Sequence, residues 1–458
     1  MSEPLSLNTL ARVPAPIRRP TYDPAGLGVG ILHLGPGAFH RAHQAVFTED
    51  AVEAAGGDWG IFAVSLQRPD TPDALAAQDG LFTVEIREQQ LEHRVVGAIR
   101  AAASAPRSPQ RVLDAFADPK IALVTLTVTE KGYALDGDGA LDLRNAEIAR
   151  DLGRQGPPTT TIGWLAAGLA TRRARNAGPV TVMSCDNLNQ NGRRLEAAVL
   201  AFAQATDPAL ADWIRDAVAF PSTMVDSITP ASTPALAERV QSALGLADAA
   251  CVQREAFTQW VIEDRFAGPR PAWEAAGAEI VVDLAPFERL KLHVLNASHS
   301  ALAYFGLPRG HALVRDAIAD RELAAIIETM VLEEIAPALQ GLPAAAYWRQ
   351  VRKRFANPSL DHRLSQISDD GSQKLAQRIF PILIANVRAG RPAARLAKVV
   401  RGWLELGARG SLKDPQAERL RAWGAAGASL SAALDDPQLF PDEFRSEPAV
   451  RAAIAGPA

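Results

Sequence analysis

The segment KLHVLNASHS (residues 291–300) contains three side chains that could transfer a proton and stabilise charge on a carbonyl oxygen: Lys291, Asn296 and His299. A lysine amine that is partly removed from water can take a proton from an alcohol or return one to a ketone, without a metal ion. An asparagine amide can donate to a developing oxyanion, and a histidine can orient the lysine or the substrate. These residue types indicate acid–base chemistry.

The spacing of the three residues is compatible with one helix face. On an ideal α-helix, Asn296 and His299 form an i, i+3 pair, and Lys291 lies about 80° from His299, so all three can line one cleft. The same spacing also fits a surface lysine, a helix-capping asparagine and a core histidine. Further residues are needed to choose between these readings.

A second polar segment, SCDNLNQNG (184–192), follows the strand pattern GPVTVMS. Open α/β sheets bind their ligands at the carboxyl ends of the strands, which places this segment where a ligand would lie. Alternatively, Asp186 or Asn187 could cap the next helix, which is the commoner role for such residues after a strand.

A glycine turn near the N-terminus, in GVGILHLGPGAFHRAHQAVF, joins an apolar strand to a helix-compatible segment. Gly35 and Gly37 would let the backbone approach a pyrophosphate, whose charge would be met by the N–H groups of Ala38 and Phe39 at the start of the helix. The match to G-x-G-x-x-G is incomplete, because His40 occupies the third position. An ordinary strand-to-helix turn is the alternative.

Ribose selection should depend on the residues after the next strand, where AVSL is followed by QRPD. Asp70 could accept the ribose hydroxyls and favour NAD, whereas Arg68 could contact a 2′-phosphate and favour NADP. Both could also be solvated loop charges. We expect NAD, and NADP stays open.

The wider pattern predicts an α/β fold. Strands over 59–66, 120–129 and 178–185, with helical stretches between some of them, indicate a mostly parallel, Rossmann-like sheet. Residues 81–99 alternate apolar and polar side chains, which predicts a hairpin added to that sheet, making it mixed.

A change in composition marks a second domain. From about residue 284 the β-branched runs stop, and Ala, Leu and Arg recur at helical spacing. We therefore expect a dinucleotide-binding domain over 1–283 and a mainly helical substrate-binding and catalytic domain over 284–458.

Composition excludes some partners. The net charge of -4 is small beside 48 basic and 52 acidic residues, so neither nucleic acid nor an anionic membrane is expected as a partner. No signal sequence or membrane-length apolar run is apparent, and the two cysteines are too few for a disulfide framework. A cytoplasmic location is the expectation.

Taken together, the motifs HLGPGAFHRAHQA, TLTVTEKGY, VMSCDNLNQNG, FPSTMVDSITP, FTQWVIEDRFAGPRPAW and KLHVLNASHS resemble the mannitol dehydrogenase family of polyol-specific long-chain dehydrogenases and reductases. The resemblance extends from about residue 28 to about 405, and the family signature K-x4-N-x2-H is complete. It implies an oxidoreductase that uses a nicotinamide cofactor and no metal, with a small-molecule substrate, and it allows a monomer.

The resemblance also implies roles for individual residues. Lys291 would be the general acid and base, Asn296 and Asn187 the two amide donors of an oxyanion hole, and His299 an orienting group. Asp226, in MVDSITP, matches a family position near the substrate.

Two stretches, TEKGY (129–133) and FANPSLDHRLSQISDDGSQKLAQR (355–378), are more similar to the branch that interconverts D-fructuronate and D-mannonate than to the mannitol enzymes. A sugar-acid substrate needs a counter-ion, and the available cations are Lys131, Arg363, Lys374 and Arg378. Each could equally be a solvated or structural charge. The alternatives are a polyol such as mannitol or arabinitol as substrate, or a non-catalytic dinucleotide-binding redox sensor.

Overall fold

The computed structural model of the chain describes residues 3–88, 90–137 and 139–455. The chain divides into two compact units, Met1–Leu284 and Ala285–Ala458. The first unit contains the strands and the second is mainly helical.

The strands of the first unit are β1 (Val29–Leu34), β2 (Gly60–Ser65), β3 (Phe82–Arg87), β4 (Leu91–Val96), β5 (Ile99–Ser104), β6 (Leu123–Leu126), β7 (Val180–Ser184), β8 (Val218–Ala219), β9 (Thr223–Asp226), β10 (Val252–Glu255), β11 (Gln259–Glu263) and β12 (Glu279–Val281). Its helices are α1 (Ala38–Ala42), α2 (Gln44–Ala55), α3 (Asp70–Ala77), α4 (Pro109–Phe116), α5 (Ala146–Leu152), α6 (Thr161–Ala174), α7 (Asn191–Thr206), α8 (Pro208–Ala217) and α9 (Pro234–Leu244).

The main sheet has the order β5-β2-β1-β6-β7-β8, and every neighbouring pair in it is parallel. Its strands read as nearly continuous apolar runs because both faces are covered: Leu32 packs into the core on one face and Ile31 into the core on the other. The predicted α/β, Rossmann-like class is confirmed. The expectation of a mixed main sheet is wrong.

The predicted hairpin exists, but it lies in a different sheet. Strands β3 and β4 pair antiparallel, and β3 pairs with β10 instead of a strand of the main sheet. The alternation of apolar and polar residues predicts which side chains of the hairpin share a face. It does not predict which other strand the hairpin pairs with, because that depends on which surfaces of the fold bury the apolar face. Here Glu85 on β3 is fully buried, where it bonds with Arg239 and His93. Residue 89, within the predicted hairpin, lies outside the described residues.

A third sheet, with the order β12-β11-β9, also contains an antiparallel pair. Strand β9 ends at Asp226, and its first residue, Thr223, donates through its hydroxyl to the carbonyl oxygen of Ser184 at the end of β7 (2.7 Å). The start of β9 is thereby tied to the carboxyl edge of the main sheet.

The helices of the second unit are α10 (Ala285–Leu290), α11 (Ala297–Gly306), α12 (Val314–Ala319), α13 (Arg321–Thr329), α14 (Ala344–Phe355), α15 (Leu364–Ser368), α16 (Gly371–Arg378), α17 (Phe380–Arg388), α18 (Ala394–Ala408), α19 (Ala417–Ala425), α20 (Leu430–Leu434), α21 (Asp442–Ser446) and α22 (Pro448–Ala455). Helix α11 is buried along its whole length, and a π-helical segment, Lys291–Asn296, joins α10 to it. The predicted helical character of this region is confirmed.

Candidate active site

The carboxyl ends of β1, β6 and β7 lie next to one another in the main sheet. From β1 the chain proceeds outward to β2 and β5, and it then returns to the other side of β1 with β6. The sheet therefore has its topological switch point between β1 and β6, which is where open α/β sheets bind nucleotides. The glycine turn follows β1, the TEKGY segment follows β6, and the segment with Asn187 follows β7.

Gly35 is required by the backbone of the turn. Its φ is +91°, and a Cβ there would lie 2.2 Å from the carbonyl oxygen of Thr127, the residue after β6. At Gly37, by contrast, an added Cβ would have Gly35 as its nearest neighbour, 3.9 Å away. The protein itself does not need glycine at 37, so the open space fits the close approach of a pyrophosphate to the N–H groups of Ala38 and Phe39.

Two stacked histidines lie beside this turn. The rings of His33 and His40 have centroids 3.3 Å apart, and Nε2 of His33 lies 3.2 Å from the carbonyl oxygen of Gly35. Burial lowers the pKa of His33 to about 3 and the pKa of His40 well below its ordinary value. Both rings are therefore neutral near pH 7. Arg41 fixes the turn from its other side, since its Nε donates to the carbonyl oxygen of Pro36 (3.2 Å).

The predicted ribose-selecting residues form an ion pair. Asp70 is the first residue of α3, and its carboxylate lies 2.7 Å from the guanidinium of Arg68. Both side chains are mostly exposed, so a cofactor could reach either of them.

The segment after β7 is fixed by buried neighbours of Asn187. Asn187 is exposed, whereas Asp186 is buried and accepts the backbone N–H groups of Val128 and Thr129 (3.1 and 2.8 Å). Burial raises the pKa of Asp186, although these hydrogen bonds oppose the shift. Helix α7 begins at Asn191 with Gln190 at its N-cap position, so the alternative reading of Asp186 or Asn187 as a helix cap is wrong.

Asn191 links this segment to β9. Its amide nitrogen donates to the carbonyl oxygens of Asp186 and Thr223, and its amide oxygen accepts the N–H of Thr223, all at 2.9 Å. Asp226, the buried last residue of β9, is thus on a strand tied to the Asn187 segment. Asn191 was not predicted, and its only sequence signal was the Asn-Gly pair that ends the motif.

Lys131 is exposed on a short 3-10 turn, Glu130–Tyr133, which follows β6. The residues on either side of the turn, Thr129 and Ala134, have φ values of +68° and +50°. Positive φ is uncommon for residues other than glycine, so the turn must be held by its surroundings.

In the second unit, the π-helical segment changes the predicted phase of the helix. On an ideal α-helix, Lys291 and Asn296 would be about 140° apart. A π-helix has i→i+5 hydrogen bonds, as from the N–H of Ala297 to the carbonyl oxygen of Leu292, and such bonds align residues five apart. The irregular segment therefore brings the half-buried Lys291 and Asn296 to one side of the helix. This feature was missed, because KLHVLN contains neither proline nor glycine.

His299 is a buried residue of α11 with aromatic and cationic neighbours. Its ring stacks on Phe355 (centroids 4.3 Å apart) and meets the edge of His362 (4.9 Å). Burial lowers the pKa of His299 well below its ordinary value, and the nearby charges of Arg378, Arg354 and Lys374 lower it further. Within the described part of the chain, nothing hydrogen-bonds to its Nε2, so this buried atom is available to a ligand.

The predicted cations differ in their positions. Lys374, on α16, is half-buried, and its amine reaches the carbonyl oxygen of Ile367 (3.3 Å). Arg378 ends the same helix and donates to the carbonyl oxygen of Asn296 (3.4 Å) and to Oγ of Ser300 (3.1 Å). Arg363 is exposed at the start of α15.

Arg378 of α16 contacts the π-helical segment through its backbone as well as through its side chain. In addition to the side-chain bonds, the backbone carbonyl oxygen of Arg378 lies 3.1 Å from Nδ1 of His293. The second unit therefore contains Lys291, Asn296 and His299 on one helix, with Lys374 near His299, whereas Asn187, Asp226 and Lys131 belong to the first unit.

Among the described residues, no group of three or more His, Cys, Asp or Glu side chains is arranged to hold a metal ion. No helix in that part of the chain has both the length and the apolar character needed to cross a membrane.

Comparison with known proteins identifies the class. Residues 29–275 match the mannitol dehydrogenase Rossmann domain, and residues 283–455 match the mannitol dehydrogenase C-terminal domain. The chain belongs to the mannitol dehydrogenase family, whose members are oxidoreductases acting on CH–OH groups. The resemblance drawn from the sequence motifs is confirmed, and so is the prediction of a nicotinamide-dependent dehydrogenase at the level of the family.

Individual relatives carry different names. D-mannonate oxidoreductase of Escherichia coli is 40% identical over 87% of this chain and 84% of its own length, and a mannitol 2-dehydrogenase of Phaeosphaeria nodorum is 37% identical over 93% and 78%. The Pseudomonas fluorescens mannitol 2-dehydrogenase, solved as a ternary complex with NAD and D-mannitol, is similar with a TM-score of 0.87 and 34% identity, covering 98% of this chain and 95% of that one. These relatives belong to the same family as this chain, but their names give different substrates.

Proposed function

We propose that this dehydrogenase interconverts D-fructuronate and D-mannonate with NAD(H), using Lys291 as general acid and base. The observation that carries the proposal is that three cations, Arg378, Arg354 and Lys374, lie near enough to the buried His299 to lower its pKa. A substrate carboxylate needs such charges, and a neutral polyol does not. The similarity to D-mannonate oxidoreductase of Escherichia coli supports the same substrate.

In the reductive direction, the keto carbon would receive a hydride, which is the chemistry that NADH would supply when bound. Lys291 gives a proton to the keto oxygen as it becomes a hydroxyl, and the amide of Asn296 stabilises charge on that oxygen. Asn187 stays predicted as a second amide donor. Nε2 of the neutral His299 bonds to a substrate hydroxyl, which satisfies a buried polar atom. In the oxidative direction neutral Lys291 accepts the proton, so oxidation of mannonate should be favoured by higher pH.

The cofactor assignment depends on the open space over Gly37 and on Asp70. The space over Gly37 fits a pyrophosphate against the first N–H groups of α1. The carboxylate of Asp70 accepts ribose hydroxyls and repels a 2′-phosphate, whereas the guanidinium of Arg68 attracts a 2′-phosphate. We assign NAD because the carboxylate is the group at the first position of α3.

The test is the steady-state rate of NADH and NADPH oxidation with fructuronate and, for comparison, with fructose. We expect kcat/KM with NADH to be more than about tenfold higher for fructuronate, roughly 1.4 kcal/mol of transition-state discrimination. Preference for fructose, together with oxidation of mannitol faster than mannonate, would contradict the proposal and favour a polyol substrate.

Single cation variants can locate the carboxylate contact. We propose Lys374 for this role, and Lys131, Arg363 and Asp226 stay predicted substrate contacts. Lys374→Ala should lower kcat/KM for fructuronate at least about tenfold more than for fructose, because only the former loses an ion pair. Lys398→Ala is the matched control, since Lys398 is exposed on α18 in the same unit. Equal losses on both ketones would remove Lys374 from the carboxylate site.

A non-catalytic redox sensor remains the alternative from a different class. Such a sensor would bind NADH without turning over any keto-sugar or polyol. A sensor would need no proton donor, so the presence of Lys291 argues against this alternative. The cytoplasmic location and the monomeric state stay predictions, which cell fractionation and sedimentation would test.

A further inference from the structure

One buried carboxylate connects the loops that follow β6 and β7. Asp186 belongs to the β7 loop and immediately precedes Asn187. Its Oδ1 accepts the N–H of Thr129 (2.8 Å) and its Oδ2 accepts the N–H of Val128 (3.1 Å), both from the β6 loop. The position of Asn187 is therefore coupled to the backbone that leads into the Glu130–Tyr133 turn.

The far end of the same turn also reaches Asp186. The hydroxyl of Tyr133, a fully buried residue, donates to Oδ2 of Asp186 (2.7 Å) and is close to Oγ of Ser184. One carboxylate thus binds the turn at its start, through Thr129, and at its end, through Tyr133.

The backbone of the turn needs this support. Thr129 and Ala134, which flank it, have φ values of +68° and +50°. Such conformations persist only when several contacts enforce them, and they occur preferentially at functional sites. Asn191 adds a further restraint by donating to the carbonyl oxygen of Asp186 (2.9 Å).

We propose that Asp186 and Tyr133 are positioning residues, which together hold Asn187 and the Lys131 turn in the arrangement needed for reduction of the ketone. Neither is assigned contact with the substrate. The Tyr133 hydroxyl restrains Asp186. Asp186 in turn restrains Asn187, the next residue in the chain, and the Glu130–Tyr133 turn. The inference rests on the proposed role of Asn187 as an amide donor, but it does not depend on which ketone is the substrate.

The test is a double-mutant cycle between Tyr133→Phe and Asn187→Ala, measured with NADH and the ketone that the wild type reduces fastest. Tyr133→Phe alone should lower kcat at least about fivefold, with the dissociation constant of NADH within about twofold of wild type. In the Asn187→Ala background the further loss should be at least about twofold smaller than in the wild-type background, because the amide to be positioned is already absent and only the Lys131 turn can still be displaced. Equal losses in both backgrounds, or no loss in either, would overturn the proposal.

Asp186→Asn provides a second variant in case Tyr133→Phe does not fold. An amide of the same size cannot accept at both of its atoms, so one backbone bond to Val128 or Thr129 is lost and the same coupling to Asn187→Ala is expected. Additive losses with this variant would also count against the proposal.

Tyr22→Phe is the matched control. The hydroxyl of Tyr22 donates to Oε2 of Glu49 at 2.7 Å, which is the same kind of bond in another part of the first unit. Its removal should leave kcat within about twofold of wild type. If Tyr22→Phe lowered kcat as much as Tyr133→Phe does, general loosening of the unit would account for both, and the positioning role would fall. A wild type that prefers fructose would contradict the proposed substrate and leave this cycle interpretable.

Discussion

The two units hold their candidate functional residues in different ways. In the first unit Asn187 and Lys131 are exposed on loops at strand ends, and buried residues such as Asp186 and Tyr133 fix those loops. In the second unit Lys291, Asn296 and His299 lie on one continuous, irregular helix, and the π-helical segment sets the directions of the first two. Loop-borne groups thus depend on long-range hydrogen bonds, whereas helix-borne groups depend mainly on the local phase of the backbone.

The electrostatic environments also differ. The buried centre of the β6 and β7 loops is a carboxylate surrounded by N–H and O–H donors, whereas the buried centre of the second unit is a neutral histidine near cations. The first arrangement satisfies its own polar groups, and the second leaves Nε2 of His299 for a ligand. We therefore expect the second unit to select the substrate.

The strongest test of this contrast is Lys291→Ala. Loss of the proton donor should lower kcat by about 10²–10⁴-fold in both directions, while the far-UV circular dichroism and Tm stay close to wild type. Lys353→Ala, which removes an exposed lysine of α14, is the control and should keep wild-type turnover. Near-wild-type activity of a folded Lys291→Ala variant would exclude the lysine mechanism.

The role of helix phase can be tested through Arg378→Ala. This change removes the bonds to the carbonyl oxygen of Asn296 and to Ser300, so the π-helical segment loses a contact from α16. We expect kcat/KM to fall by about 10- to 100-fold, in line with the loss of hydrogen bonds to a charged group. Arg349→Ala removes an exposed arginine of α14, which has no assigned contact with the substrate, and serves as the comparison. Equal effects of the two changes would count against a special role for the α16 contact.

Local sequence signals predicted the elements but not the contacts that tune them. The apolar runs predicted a mostly parallel sheet, because strands that are buried on both faces need apolar residues at nearly every position. The glycine turn was predicted as well, because the positive φ at Gly35 favours glycine. The partner of the hairpin, the π-helical segment and the Tyr133–Asp186 bond left none. That bond joins residues 53 positions apart, and it exists because the registers of β6 and β7 place their ends side by side.

Acidification should weaken the first unit through its buried histidines. The folded-state pKa of His33 is lowered to about 3, so below pH 6.5 the unfolded chain binds a proton that the folded chain does not. Stability is therefore lost as pH falls from about 6.5, by up to about 1.4 kcal/mol per pH unit for this residue. Thermal unfolding of wild type and His33→Gln at pH 7 and 5 should show a loss smaller by about 2 kcal/mol in the variant. Parallel pH dependence would contradict the assignment.

The smallest expected effect concerns the cofactor-selecting loop of the first unit. Asp70→Ala should reduce the NADH-to-NADPH ratio of kcat/KM by about three- to tenfold, because the carboxylate that repels a 2′-phosphate is lost and Arg68 is released from its ion pair. Stability should change by less than about 0.5 kcal/mol, since the pair is mostly exposed. Asp73→Ala, on the same helix and paired with Arg107, removes an equivalent surface ion pair and should leave the ratio unchanged. If both changes altered the ratio equally, the effect would come from the net charge of α3, and cofactor choice would have to depend on other residues of the unit.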